Sequence, residues 1–467
     1  MSASFHTLCY WVKESAAYCL PPLQRLRLQG ERLRDRTSGW YARPRVMATA
    51  CWSFPIYSQT FVYQELTQLL RHGFQLRFLY ANLQPRAYLP SQFSPLWHAR
   101  RRLILHPSVC QRDYAYFMQR MPVKIDRLVE MVCQASGMSP QELRSHDHFL
   151  QAFSFTRMVE AYQPDYLHSY FFYEGTLFTL FASYLLDIPR GVSCYADHML
   201  KDYPLKVVPL HLETCNLIIA TSHRIKQELV GIAPEVDPDR IIVKPNAVNA
   251  SQFPVVHLRH PEQEQPYRLL CVSRIEPKKG HGYIVEAIRH LRDRGYKVEL
   301  HLVGGVDDNA SSQDYARKLH AQIEEYNLGG IVHLEGRQSE SDIKKFFQRS
   351  HIFVAPFVET KVGDKDGIPT SLLEAMASGL PVVATDAGSI REVIDDGRDG
   401  ILVPQRDAHA LAAAIVSLMN DLTRRVALGK HAVRKVRERF DVAVCEHIFH
   451  DRLAELLASQ HGKSDTR

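Results

Sequence analysis

Six short apolar runs, separated by stretches of helical period, follow one another in the C-terminal part of this 467-residue chain. Short strands that alternate with helices are typical of a parallel sheet covered by helices on both faces. The pattern therefore predicts a doubly wound α/β domain, whose ligand binds beyond the carboxyl ends of the strands. The predicted strands are 268–272, 298–304, 331–334, 351–355, 381–385 and 400–403.

The preceding residues show the same alternation less regularly, and 467 residues exceed what one core usually holds. We therefore predict two facing Rossmann-like domains with a cleft between them. The N-terminal domain should cover residues 45–260 and the C-terminal domain residues 266–430, joined by a polar linker at 262–265. A C-terminal helical segment, 431–467, should pack back toward the N-terminal domain.

Residues 1–44 form a basic N-terminal extension that contains the amphipathic stretch LQRLRLQGERLRDR. Two interpretations stay open: a solvated helix, or peripheral attachment to an anionic membrane, to which Arg100, Arg101 and Arg102 could contribute. Apolar runs fall short of the length that a membrane-spanning helix needs. A secretory signal pattern is also lacking, so we expect a cytoplasmic protein, with contact at the inner face of the membrane as an open alternative.

The overall charge and the cysteines exclude several function classes. A net charge of +6 is small for a protein that binds nucleic acid, so no nucleic-acid partner is expected. The nine cysteines are scattered without a CxxC pair, which indicates buried free thiols and neither a disulfide framework nor a zinc site.

The most informative segment is 363–388, GDKDGIPTSLLEAMASGLPVVATDAG, which lies between two predicted strands. Pro369 suits the first position of a helix and Gly379 suits a helix end. The backbone N–H groups of Thr370, Ser371 and Leu372 would then point toward the strand ends and form a phosphate site. Gly367, which has no side chain, would allow a ligand to approach closely.

Two carboxylates flank this predicted phosphate site. Asp366 precedes the helix, and Glu374 can reach back toward a bound ligand because helical side chains lean toward the N-terminus. Carboxylates suit hydroxyl groups of a ribose or a sugar. The alternative for Glu374 is an ordinary exposed residue of the helix.

A second segment, SRIEPKKG, leaves the end of the first strand of the C-terminal domain. Arg274 and Lys279 should converge on a diphosphate and stabilise charge on a leaving group. We expect Lys278 to be solvated.

These motifs resemble those of the retaining group-1 type glycosyltransferases, glycosyltransferase family four, which have the GT-B architecture. The resemblance rests on SRIEPKKG, LHLVGG, VHLEGR, DGIPTSLLEAMASGLPVVATDAGSIREVI and the hinge-proximal element KPNAVNASQF. In the N-terminal half, FPIYSQTFVYQEL resembles a pattern of exopolysaccharide and lipopolysaccharide members, with Gln59 in place of the commoner Glu and Ser58 as a candidate ligand contact.

The resemblance implies a role for each donor-side residue. Arg274 and Lys279 would contact the donor diphosphate, Glu374 the ribose and Asp366 the transferred sugar. The nucleotide base would lie at Gly336 and Arg337. The donor loop would contribute Gly367, Ile368, Pro369, Thr370, Ser371 and Leu372.

The sequence identifies the residues that would bind the acceptor less clearly than those that would bind the donor. Tyr195 stands where the family has a cleft histidine, followed by Asp197 and His198, which we treat as catalytic candidates. The element DYLHSYF makes His168 a weaker one.

The resemblance also implies front-face substitution with retention, no enzyme nucleophile, no metal and no cofactor beyond the nucleoside-diphosphate sugar donor. The acceptor would be a glycan or a lipid-linked hydroxyl in surface polysaccharide or glycolipid biosynthesis. The alternatives are a GT-B sugar-nucleotide epimerase and a non-catalytic nucleotide-sugar-binding subunit.

Overall fold

The computed structural model describes residues 45–56, 59–195, 203–261 and 265–464. They form two parallel sheets with helices packed on both faces, as predicted. The N-terminal sheet has the strand order β3-β2-β1-β4-β5-β6-β7, and the C-terminal sheet has the order β10-β9-β8-β11-β12-β13.

The N-terminal domain alternates strands with helices, and several of its helices follow one another between β3 and β4. The strands are β1 Val46–Phe54, β2 Gln75–Leu83, β3 Arg100–Arg102, β4 Tyr166–Tyr170, β5 Arg190–Cys194, β6 Leu217–Ala220 and β7 Ile241–Val243. The helices are α1 Thr60–Arg71, α2 Ser94–Ala99, α3 Pro107–Arg120, α4 Pro122–Ser136, α5 Pro140–Ser145, α6 Asp147–Tyr162, α7 Glu174–Leu186, α8 Val208–Thr214 and α9 His223–Ile232.

The C-terminal domain follows the predicted alternation closely. Its strands are β8 Tyr267–Val272, β9 Val298–Val303, β10 Val332–Gly336, β11 Ile352–Ala355, β12 Val382–Thr385 and β13 Ile401–Val403. Its helices are α10 His281–Asp293, α11 Ala310–Glu325, α12 Glu340–Arg349, α13 Thr370–Ala377, α14 Ala408–Met419 and α15 Leu422–Arg439. The last helix, α16 Val442–Ser464, leaves this domain.

The strand order fixes where a ligand can bind. In the C-terminal sheet, β8 pairs with β9 on one side and with β11 on the other. The connections that follow β8 and β11 therefore leave the sheet in different directions and open a crevice at its carboxyl edge. The segments 273–280 and 356–369 lie there, side by side.

The chain crosses between the domains earlier than predicted. Val248 and Phe253 already belong to the core of the C-terminal domain, so the crossing precedes the predicted linker at 262–265. Val248 and Asp441 form a parallel bridge, which brings the outgoing and returning crossings together. The polar, proline-flanked stretch before β8 resembles a linker in composition only, and residues 262–264 lie outside the described range.

The return crossing also differs from the predicted boundary at residue 430, which falls inside α15. Helix α15 packs on the C-terminal domain through Ala432 and Val436. Helix α16 then packs on the N-terminal domain through Phe449, Leu453 and Leu457.

A buried ionic cluster connects the crossing to helices α1 and α16. The Lys244 Nζ atom lies 2.9 Å from Glu65 of α1 and 3.1 Å from Glu446 of α16. All three side chains are at most 6 % exposed. The cluster therefore joins α1, the end of β7 and the returning helix at one point.

Several predictions fall outside the described residues: the extension 1–44, Ser58, Asp197 and His198. Of the helices that are described, none is both long and apolar enough to cross a lipid bilayer.

Candidate active site

A cleft of about 1230 Å³ opens between the two domains, at the carboxyl edges of their sheets. The N-terminal wall includes Phe61, Tyr88, Phe171, Tyr173 and Tyr195. The C-terminal wall includes Arg274, Glu276, Lys278, Lys279, Arg337, Glu374 and the donor loop, residues 366–371. The candidate residues of the two C-terminal segments, 273–280 and 363–388, thus meet in one cavity.

Helix α13 begins in this cleft. Pro369 was predicted as the first residue of this helix, but the helix starts at Thr370 and Pro369 is the residue before it. Among the described residues, no side chain caps this N-terminus, and the first backbone N–H that bonds inside the helix is that of Leu373. The preceding N–H groups are available to an anion. Leu372 can offer only its backbone, because its side chain is buried in the core.

Lys279 and Asp366 form an ion pair at the mouth of this helix. The Lys279 Nζ atom lies 2.5 Å from the Asp366 carboxylate. Burial alone would raise the pKa of Asp366, but the ammonium groups of Lys279 and Lys278 lower it below its usual value. The carboxylate therefore stays ionised and holds Lys279 beside the start of α13.

The prediction that Lys278 is solvated is wrong. Its side chain is 15 % exposed, and its Nζ atom lies 3.0 Å from Asp364 and 3.9 Å from Asp366. Both acids lie far along the chain, Asp364 just before the donor loop and Asp366 at its start. Lys278 is therefore a second cation of the cleft.

Arg274 is held from two sides. It donates to the Asp307 carboxylate at 2.6 Å and pairs with Glu276 at 3.0 Å. Burial raises the pKa of Glu276, although the nearby Arg274 guanidinium opposes that shift. These acids fix the guanidinium at the cleft wall.

Glu374 differs from the other acids of the cleft. Among the described residues, its carboxylate has neither a hydrogen-bond nor an ion-pair partner. Burial, together with the negative charge of Glu340, raises the pKa of Glu374 to about 7. A partly buried carboxylate without a partner is costly, and it is available to bind hydroxyl groups of a ligand. The alternative of an exposed helix residue is wrong.

Two glycines allow the site segments to approach each other. Gly280 has φ +63°, and a Cβ atom there would overlap the Pro356 carbonyl oxygen. Gly388 has φ +57°, and a Cβ atom there would overlap the Asp366 carbonyl oxygen. Both positions therefore require glycine for space and for conformation.

The donor loop is also held from outside its own domain. The Asn246 side chain, on the crossing segment, donates to the Ile368 carbonyl at 2.8 Å. Arg224 of α9 reaches the Asp366 carbonyl at 3.3 Å. A Cβ atom on Gly367 would contact Thr221 Oγ1 at 3.4 Å, so this glycine faces the N-terminal domain as well as the cleft.

Of the two residues expected near a nucleotide base, only Arg337 is among the residues that line the described cleft. Arg337 lines the cleft, and its guanidinium lies 5.7 Å from the ring centre of Tyr88 in the opposite domain. Gly336 ends β10 and does not line the cleft described above.

On the N-terminal wall, the structure corrects the prediction for His168. Its side chain is fully buried, lies 2.8 Å from Ser193 Oγ and packs against Phe449 of α16. Burial lowers its pKa to about 4. Tyr195 does line the cleft and packs against Phe61 and Phe171.

Sequence reasoning missed Glu276, Lys278, Asn246 and Arg224 as site residues. The first three lie inside motifs that were recognised, but the partners of Lys278 and Asn246 are remote in sequence. The position of Arg224 carries no signal that points to the donor loop.

Comparison with known proteins gives this site a family context. The family described as glycosyl transferases group 1 matches residues 256–435, which include the C-terminal wall of the cleft. The chain is 25% identical to the amylovoran biosynthesis glycosyltransferase AmsK of Erwinia amylovora, over 86% of this chain and 97% of that protein. It is 32% identical to the putative colanic acid biosynthesis glycosyltransferase WcaL of Salmonella typhimurium, over 38% of this chain and 42% of that protein.

Solved structures resemble the whole two-domain arrangement. The HepE protein of Anabaena in complex with UDP has a TM-score of 0.65 at 16% identity, covering 88% of this chain and 100% of that one. Sucrose-phosphate synthase from Thermosynechococcus elongatus has a TM-score of 0.66 at 18% identity, covering 89% and 100%. At such identities the likeness establishes the fold, and the predicted GT-B architecture is confirmed.

Proposed function

We propose that this chain is a glycosyltransferase that moves a sugar from a nucleoside-diphosphate sugar to a hydroxyl group of a glycan or lipid-linked acceptor, and the match of residues 256–435 to the family of group 1 glycosyl transferases supports this proposal. AmsK, which is similar to nearly the whole chain, takes part by name in amylovoran biosynthesis. That similarity supports surface polysaccharide or glycolipid biosynthesis as the process. The proposal also includes contact of the protein with an anionic membrane surface, where lipid-linked acceptors lie.

One observation carries the proposal: an open helix N-terminus, three cations and an unpartnered carboxylate converge in one interdomain cleft. The donor diphosphate would bind the free N–H groups at the start of α13 and the ammonium of Lys279. Arg274 and Lys278 would add positive charge, so a metal ion is not needed in this proposal. No cofactor other than the donor is proposed.

Glu374 would accept hydrogen bonds from the ribose hydroxyls, and Asp366 would contact the transferred sugar. Asp366 pairs with Lys279, so its carboxylate would lie beside the diphosphate, where the sugar is attached. The base would lie against Arg337 and the aromatic ring of Tyr88.

Transfer would proceed with retention at the anomeric carbon. The bond from that carbon to the diphosphate oxygen breaks while the acceptor oxygen approaches from the same face. The departing diphosphate takes the acceptor proton, and Lys279 and Arg274 stabilise the negative charge that develops on it. Positioning and electrostatics are then the whole protein contribution, since no side chain forms a covalent intermediate.

The experiment has two steps. A panel of UDP-, GDP- and ADP-sugars is first screened for an increase in the unfolding temperature, because a ligand that binds only the folded state stabilises it. The nucleotide sugar that stabilises most is then incubated with acceptor glycans, and the release of nucleoside diphosphate is followed. We expect release that depends on an acceptor.

Other outcomes separate the alternatives. Conversion of the nucleotide sugar without an acceptor would indicate an epimerase. Binding without any turnover would indicate a non-catalytic subunit. Stabilisation by none of the nucleotide sugars would contradict the donor site itself.

A further inference from the structure

A contact between the two domains lies at the start of helix α9, and its residues are not among those that line the described cleft. The Glu392 carboxylate, from the C-terminal domain, accepts hydrogen bonds from the backbone N–H groups of His223 at 2.7 Å and of Arg224 at 2.9 Å. The next N–H, of Ile225, donates to the Ser222 hydroxyl at 3.1 Å. The first N–H groups of a helix have no partner inside it and carry partial positive charge, so the carboxylate anchors α9 to the opposite domain.

The C-terminal side of this contact is held by the core of its own domain. Ser389 and Glu392 belong to GSIREVI, the end of the longest motif, to which the proposed reaction gives no role. Glu392 ends a single helical turn, Ile390–Glu392, whose Ile390 side chain is fully buried in that core. The hydroxyl groups of Ser389 and Ser222 lie 2.8 Å apart across the domain boundary, and both serines are 1 % exposed. The start of α9 is therefore fixed against this turn by buried polar contacts.

The side chain of Arg224 extends from this contact to the donor loop. Its Nε atom donates to Ser389 Oγ at 3.0 Å, its Nη1 atom pairs with Glu228 at 2.5 Å, and its Nη2 atom donates to the Asp366 carbonyl at 3.3 Å. Each guanidinium nitrogen thus has a partner, which fixes the orientation of the planar group. Lys365, just before the donor loop, lies 3.0 Å from the same Glu228. The N-terminal domain therefore holds the beginning of the donor loop through two cations.

The Asp366 carbonyl is confined from a second direction. Gly388, the neighbour of Ser389, lies so close that a Cβ atom there would come within 2.1 Å of this carbonyl oxygen. The segment 388–392 therefore contacts the donor loop at one end and α9 at the other. A displacement of α9 would move the backbone of Asp366, whose side chain pairs with Lys279 in the cleft.

We propose that Arg224 is a positioning residue, held in place by Glu392 and Ser389, that sets the backbone of Asp366 for its contact with the transferred sugar. The inference rests on the proposed function, in which Asp366 contacts that sugar. Arg224 bonds to the donor loop at Asp366, ahead of the start of α13 at Thr370, where the diphosphate would bind. Loss of Arg224 should therefore impair sugar transfer much more than it weakens diphosphate binding.

The first measurement needs no donor. Amide hydrogen exchange of the donor loop, residues 366–371, is compared in the full chain of wild type, Arg224→Met and Glu392→Ala. Both variants should exchange at least about threefold faster there, because a loop that loses a hydrogen bond opens more often. Glu392→Gln, which keeps one accepting oxygen, should show a smaller increase in the same direction. The control variants Arg317→Met and Glu325→Ala, at exposed positions, should exchange like wild type.

The second measurement separates positioning from general support of the fold. Arg224→Met and Glu392→Ala should each lower turnover about tenfold, the effect of one lost hydrogen bond from a charged group. The affinity of each variant for the nucleoside diphosphate should stay within about twofold of wild type. Because both residues act through one contact, the double variant should lose at most about twofold more turnover than either single variant, whereas independent effects would multiply to about a hundredfold.

Unfolding midpoints are measured first, and Glu392→Gln replaces any variant that does not fold. Wild-type exchange of the donor loop in the variants, an equal loss of turnover and of nucleoside-diphosphate affinity, or multiplied losses in the double variant would each overturn the proposal. Its failure is distinguishable from failure of the proposed function. If wild type transfers sugar and the variants transfer it equally well, only the role of Arg224 fails. If no nucleotide sugar stabilises wild type, the proposed function fails, and faster exchange in the variants still assigns the hold on the donor loop to Arg224.

Discussion

The ammonium group of Lys279 lies 2.5 Å from the carboxylate of Asp366, across the opening of the helix that begins at Thr370. The two residues belong to different motifs, and they meet because β8 and β11 are neighbours in the sheet. A donor diphosphate that binds this helix must share or replace the carboxylate as the partner of Lys279. In the proposed function, the pair would therefore couple the donor diphosphate to the transferred sugar.

This pairing predicts that substitutions of its two members change the affinity for a nucleoside diphosphate in opposite directions. Lys279→Ala should weaken the binding of a nucleoside diphosphate and lower turnover at least about a hundredfold, because a cation at the leaving group is lost. Asp366→Asn should tighten nucleoside-diphosphate binding about three- to tenfold, because a negative charge is removed, while turnover falls with the lost sugar contact. Calorimetric titration measures the affinity for a nucleoside diphosphate, and release of nucleoside diphosphate measures turnover.

The exposed Lys361 and Asp308 supply matched control substitutions, Lys361→Ala and Asp308→Asn. A change of nucleoside-diphosphate affinity in the same direction for both site variants would contradict the pairing.

Glu374 should limit the stability of the free protein at alkaline pH. Its pKa is raised to about 7, so its neutral form favours the folded state, and that contribution is lost as the pH rises from about 4.5 through 7. Glu374→Gln should therefore be more stable than wild type by about 1–2 kcal/mol at pH 8 and no more stable at pH 4. The same variant should lose donor binding. Thermal unfolding at both pH values checks this, and a variant less stable than wild type at pH 8 would contradict it.

Asn246 should act on the donor site through the donor loop. Its amide donates to the Ile368 carbonyl at 2.8 Å and does not have to touch the donor. Asn246→Ala should raise the donor KM about three- to tenfold, the effect of one lost hydrogen bond, and change kcat less. The exposed Asn420 provides the control, Asn420→Ala. An unchanged donor KM in Asn246→Ala would show that the loop holds its conformation without this bond.

The buried cluster of Lys244, Glu65 and Glu446 should support stability strongly. Burial raises the pKa of Glu446, against the influence of Lys244, whereas the pKa of Glu65 is lowered because Lys244 and His168 outweigh its burial. Lys244→Met leaves two buried carboxylates without a cation and should destabilise the fold by about 3–5 kcal/mol at pH 8. The loss should shrink toward pH 5, because both carboxyl groups can then be protonated. Denaturant unfolding measures this, with the exposed Lys430→Met as control, and a loss that does not vary with pH would contradict the account.

The local pattern of apolar and turn residues was sufficient to predict much of the fold. The strands of the C-terminal domain begin and end within two residues of their predicted limits, because each apolar run is short and bounded by turn residues. Helix α1 spans Thr60–Arg71, the stretch of the N-terminal half in which apolar residues recur at helical spacing.

Long-range contacts explain what sequence reasoning could not reach. Lys278 looks like a surface residue until Asp364 is brought beside it, and His168 looks like a cleft residue until Phe449 of the last helix covers it. The crossing between domains is set by the bridge of Val248 to Asp441, not by the polar composition that suggests a linker. The roles assigned to Arg274, Lys279, Asp366 and Glu374 stay predictions, while their convergence in one cleft is a structural finding.

A crystal structure of the full chain with the nucleoside diphosphate of its best-stabilising donor tests the central claim most directly. The proposal predicts phosphate oxygens within hydrogen-bond distance of the Thr370 and Ser371 N–H groups and of Lys279 Nζ, with the ribose hydroxyls on Glu374. A diphosphate bound at the N-terminal domain, or one that leaves the start of α13 and Lys279 without contact, would contradict it.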